Sequence, residues 1–110
     1  MVSRGLALEL KPGAYAEYKR RHDHLWPEMI DMLQQLQVSM VIYRHGDTLF
    51  VHETAPSQEA FDRADEAPIT PKWNEHMKEV LATDGSGELI FTDLLLAFSC
   101  GEFAARAPEP

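Results

Sequence analysis

The chain has 110 residues, 45% of them hydrophobic, which suits one domain with a modest core. Its 18 acidic residues against 10 Lys and Arg give a formal charge of −8, which argues against nucleic acid or an anionic membrane as partner, because both call for a basic patch. The one cysteine, Cys100, rules out an intrachain disulfide and fits a cytoplasmic setting. No CxxC, HExxH, P-loop or GxGxxG motif occurs, and neither a signal peptide nor a membrane span is expected.

Leu6, Leu8 and Leu10 alternate, so residues 4–10 are expected to form a strand that Pro12-Gly13 ends. Residues 14–22 have helical composition. A second helical piece is expected over residues 25–36, with Asp23 as N-cap and Pro27 in the first turn, where a missing N–H costs little. Residues 38–44 and 48–54 read as strands joined through His45-Gly46-Asp47 into a β-hairpin. Pro56-Ser57 opens a short helix to Ala64. Thr70-Pro71 has the order of an N-cap followed by Pro at the first helical position, so a further helix is expected from there to Leu81. After the loop at 84–87 the last strand is expected over residues 88–98, and residues 102–110 read as a flexible tail.

The order β-α-β-β-α-β, with both helical stretches broken, predicts a ferredoxin-like α+β domain over residues 1–101, with an antiparallel sheet and helices on one face. The last strand carries a second implication. Leu89, Phe91 and Leu95 lie on one face and Ile90, Leu94, Leu96 and Phe98 on the other, whereas a sheet with one solvated face alternates apolar and polar. Both faces are therefore expected to be covered, one by helices and the other by a second copy of the chain. A homodimer with sheets face to face, or with exchanged strands, is the expectation.

The chemistry is concentrated in residues 18–28. Tyr18, His22 and Leu25 fall at i, i+4 and i+7, so one helix face carries a phenol and an imidazole beside a core leucine. With an ordinary pKa of about 6.5, a histidine can both give and take a proton near neutrality. Trp26 and Trp73 present flat faces that suit either a core or a sugar ring. Lys19, Arg20, Arg21, Asp23 and Glu28 read as a solvated, ion-paired surface, with one arginine able to hold a carboxylate or a hydroxyl pair instead. His22 and His24 are spaced i, i+2 and no third ligand has a fitting spacing, so no metal is expected.

The pattern Tyr-x-x-Arg-His-x-x-x-Trp-Pro-Glu, here Tyr18, Arg21, His22, Trp26, Pro27 and Glu28, resembles the signature of the L-rhamnose mutarotases. The Ile42-Tyr43 and Leu49-Phe50 strands and the Lys72-Trp73…Met77 segment extend the likeness. The resemblance implies a dimeric α/β barrel that interconverts the anomers of a 6-deoxyhexose without cofactor. It places the proton-transferring histidine at His22 and sugar contacts at Tyr18 and Trp73, with Trp26 as a further candidate. Met40 stands where the family has a tyrosine and Asn74 where it has a second tryptophan. Both positions therefore join the expected sugar-contacting set and change which hydroxyls are read. L-rhamnose, L-fucose and other aldoses are candidate substrates. A sugar-binding module without turnover and a cofactor-free oxygenase on the same fold are the rival readings.

Overall fold

The computed structural model describes residues 1–106. Its elements are β1 (Val2–Glu9), α1 (Tyr15–Asp23), α2 (Pro27–Gln35), β2 (Ser39–His45), β3 (Thr48–Ala55), α3 (Gln58–Glu66), α4 (Ile69–Met77), β4 (Thr92–Leu94) and a short 3-10 helix (Gly101–Arg106). The strands form one antiparallel sheet in the order β2-β3-β1-β4. This is the α+β arrangement expected from the sequence.

Register decides which side chains face the helices. Leu6 lies opposite Val51 and Leu8 opposite Leu49, while Ile42 pairs Val51 from the other side. Because the strand period is two, Arg4, Met40 and Glu53 fall on this same face. Val41, Tyr43, Phe50 and His52 turn to the opposite, open face. Two clusters fill the space between sheet and helices. One contains Leu8, Leu49, Tyr18, Trp73 and Met77, and the other Val38, Ala55, Ala60, Phe61 and Ala64.

The ends of several elements differ from the sequence expectation. Asp23 closes α1 instead of capping α2, because its carboxylate accepts from Lys19 one turn earlier at 2.9 Å. Trp26 occupies the N-cap of α2, with Pro27 at the first helical position. Thr70 lies inside α4 instead of capping it. Its hydroxyl donates to the Ala64 carbonyl at 2.6 Å and so satisfies an acceptor at the end of α3. That helix begins as expected, with Ser57 Oγ accepting from the Ala60 amide at 3.3 Å. The helix expected to reach Leu81 stops at Met77, and Leu81 instead bridges to Leu10.

The last strand is also shorter than expected. Of the expected strand only residues 92–94 pair with β1, and residues 95–100 have no strand partner among the described residues. Leu95 is 92% and Phe98 80% exposed. At the junction with the expected tail, residues 101–106 form the 3-10 helix, with the Phe103 ring 5.3 Å from His52 on the open face. Residues 107–110 lie outside the described residues.

Candidate active site

A cavity of about 400 Å³ opens between the helices and the sheet. That is within the usual size of small-molecule sites. Tyr18 and His22 reach it from α1, Trp73 and Asn74 from α4, and Met40 from β2. The i, i+4 spacing of Tyr18 and His22 on α1, and the i, i+3, i+4, i+7 spacing of Thr70, Trp73, Asn74 and Met77 on α4, account for two walls. Register accounts for the third.

His22 sits near the end of α1 with its ring 4.3 Å from Tyr18 and 5.3 Å from Trp73, centroid to centroid. Its Nδ1 lies 3.2 Å from the Tyr18 carbonyl. A carbonyl only accepts, so Nδ1 carries the proton and Nε2 holds the free lone pair. Burial lowers the His22 pKa, against weaker upward effects of the Tyr18 carbonyl and Asp23. At pH 7 the ring is therefore neutral. Burial, with the neighbouring Tyr15, also pushes the Tyr18 phenol up. It stays protonated and can donate, and no partner among the described residues occupies its hydroxyl.

Trp26 is the expected contact that does not reach the cavity. Its ring meets Trp73 edge-on at 5.0 Å and lies 5.2 Å from His76, so it backs the Trp73 wall instead of lining it. Arg21 is likewise taken up by structure. It pairs with Glu17 at 2.6 Å and Glu79 at 2.9 Å and donates to the His76 carbonyl at 2.7 Å, which ties α1 to the end of α4. His24 turns back to the Arg20 carbonyl, away from His22. Among the described residues no three His, Cys, Asp or Glu side chains gather as a metal site.

The polar end of the cavity lies outside the residues expected from the sequence. Arg4, Glu53, Asp65, Thr70 and Asp93 line it. Arg4 donates to Glu53 at 2.8 Å and, through its other two nitrogens, to Asp65 at 2.9 and 2.8 Å. The signal was present as charge at in-facing strand positions, since Arg4 keeps step with Leu6 and Leu8, and Glu53 with Leu49 and Val51.

The family model for L-rhamnose mutarotase matches residues 4–92. The chain belongs to this family. Among curated members, an L-rhamnose mutarotase from Rhizobium leguminosarum bv. trifolii is 34% identical over 94 residues, 83% of this chain and 89% of that one. One from Listeria monocytogenes is 32% identical over 92 residues, 81% and 88% of the two chains. The crystal structure of an L-rhamnose mutarotase from Formosa agariphila superposes with a TM-score of 0.76 at 24% identity, covering 92% of this chain and all of that one, a likeness of fold.

Proposed function

We propose that this protein is an L-rhamnose mutarotase whose acid–base residue is His22. The family match over residues 4–92 supports the activity, and the neutral imidazole with a free Nε2 in the cavity wall supports the residue. Mutarotation requires a base to take the proton of the anomeric hydroxyl while an acid, here water, gives a proton to the ring oxygen and takes it back on closure. The ring C–O bond then breaks, the aldehyde turns about C1–C2, and closure occurs on the other face. His22 Nε2 takes the O1 proton and returns it on closure. The Tyr18 hydroxyl donates to an oxygen of the pyranose and fixes its orientation. Trp73 covers an apolar ring face with Trp26 behind it, while Met40 and Asn74 meet the periphery. Residues 1–101 act as one mutarotase-type domain.

Saturation-transfer NMR over L-rhamnose, L-fucose and related aldoses tests the activity. Exchange of L-rhamnose anomers well above buffer is expected, and binding without exchange would reduce the protein to a sugar-binding module.

The working form in this reading is a homodimer built on the open sheet face. Tyr43, Phe50 and Leu94 expose apolar surface there, Leu95 and Phe98 are exposed in the segment that follows β4, and residues 95–100 are paired by no strand among the described residues. Light scattering coupled to size exclusion should give twice the chain mass. A monomer at micromolar concentration would refute the dimer. No helix among the described residues is long and apolar enough to cross a membrane, and a cytoplasmic setting completes the reading.

A further inference from the structure

Glu53 is the single charged residue among the buried ones described, at 5% exposure, and it lines the cavity. Its Oε1 accepts from Arg4 Nε at 2.8 Å. No donor among the described residues reaches Oε2. A buried carboxylate oxygen left without a donor is costly, and such atoms in native proteins normally meet a partner.

The carboxylate is also held in place. Arg4 spends its remaining fork on Asp65, and its guanidinium lies 4.3 Å from the centre of the Phe61 ring, a fully buried side chain. A carboxylate held by a guanidinium that is itself fixed on two sides loses little freedom when a ligand arrives.

Position along β3 tells which part of a sugar would meet it. Leu49 and Val51 belong to the cluster that contains Tyr18 and Trp73, and Ala55 to the cluster of Phe61 and Ala64. Glu53 lies on the floor where the two clusters part. Its direct cross-strand neighbours are Arg4, a donor, and Met40, whose thioether is only a weak acceptor. Two carboxylates, Glu53 and Asp93, face the cavity from that floor, and Glu53 is the buried one while Asp93 is exposed.

We propose that Glu53, clamped by Arg4, is a specificity-determining residue that accepts a hydrogen bond from a ring hydroxyl of the sugar remote from the anomeric carbon. The inference rests on the mutarotase reading. With C1 and the ring oxygen at His22, the atoms across the pyranose are C4 and C3. The hydroxyl read by Glu53 is the 3- or the 4-hydroxyl, and the two deoxy sugars tell them apart. The 2-hydroxyl stays on the His22 side.

The experiment measures enzyme-dependent anomer exchange, above the buffer rate, for L-rhamnose and for its 2-, 3- and 4-deoxy analogues. A hydrogen bond to a charged group is worth about 1.5–3 kcal/mol, so the wild-type protein should prefer L-rhamnose over the 3- or the 4-deoxy sugar by roughly 10–150-fold in kcat/KM. In Glu53→Val that ratio should fall to within about threefold of unity, while the ratio for the 2-deoxy sugar stays at the wild-type value. Glu53→Gln keeps the shape and a neutral acceptor. It should fold if the valine variant does not, and should lose part of the same ratio. Arg4→Gln should also lower the ratio, because the carboxylate is no longer aimed, and a merely structural role would not move it selectively. Folded Glu53 variants with wild-type ratios for all three analogues would overturn the proposal while the mutarotase reading stands. A wild-type protein with no exchange of L-rhamnose would overturn both.

Discussion

Replacing His22 by alanine separates the chemical role of the imidazole from its structural one. In the folded protein the ring gives one hydrogen bond, Nδ1–H to the Tyr18 carbonyl at 3.2 Å, and contacts the Tyr18 and Trp73 rings. Losing one such bond costs about 0.5–1.5 kcal/mol of stability. Taking about 1 kcal/mol as 4–8 °C in a domain near this size, the variant should melt several degrees lower and remain folded at 25 °C. The catalytic loss should be far larger. General acid–base catalysis is worth about 10²–10⁴-fold, or about 2.7–5.4 kcal/mol at 1.36 kcal/mol per decade. Saturation-transfer NMR at pH 7.5, where the wild-type ring is neutral, should show enzyme-dependent anomer exchange reduced by at least about 100-fold. A folded His22→Ala protein exchanging within about threefold of wild type would refute the assignment of Nε2 as the base.

The pH dependence follows from the same ring. Burial holds the folded-state pKa below the ordinary value of about 6.5, so the folded protein binds fewer protons here than the unfolded chain. The stability His22 contributes is full above about pH 6.5 and drains as pH falls from there through the lowered folded-state pKa. Urea midpoints of wild type and His22→Ala should therefore converge between pH 7.5 and pH 5, and a gap that widened on acidification would contradict the direction of the shift. Phe61, fully buried beneath Arg4, should cost about 3–5 kcal/mol on truncation to alanine. That is a large share of the roughly 5–15 kcal/mol typical of a domain, so an unchanged urea midpoint would place Phe61 outside the core. Gln37 holds φ = 56° just after α2, where the Val38 amide bonds back to the Leu33 carbonyl at 2.9 Å. The left-handed backbone costs a non-glycine residue about 1–2 kcal/mol. Gln37→Gly should consequently raise the melting temperature by a few degrees, and a lower one would show that the side chain matters more than the backbone.

The functional end of α1 was legible because it is local. Tyr18 and His22 are four residues apart, and a helix with that spacing has to present them together. Pro27 similarly announced the first turn of α2, and Ser57 the start of α3. The errors share one cause. Asp23 and Thr70 have the residue type of a cap, but each found a better partner in Lys19 and the Ala64 carbonyl. Trp26 stands in the signature beside His22, yet its ring packs behind Trp73 because the cavity wall is already occupied.

The sequence by itself determined the order of elements, the apolar alternation that makes one sheet face a core, and the pairing of a phenol with an imidazole. These depend on periodicity and on neighbours within a turn or two. Tertiary structure alone decided which way the imidazole presents its lone pair, because that depends on burial and on a carbonyl held at 3.2 Å. It alone also decided that Arg4, Glu53 and Asp65, up to 61 residues apart in the chain, meet at one end of the cavity. Their encounter is set by strand register and by where α3 docks. A one-residue slip in either strand would have turned a charged partner to the open face, and no local pattern in the sequence carries that information.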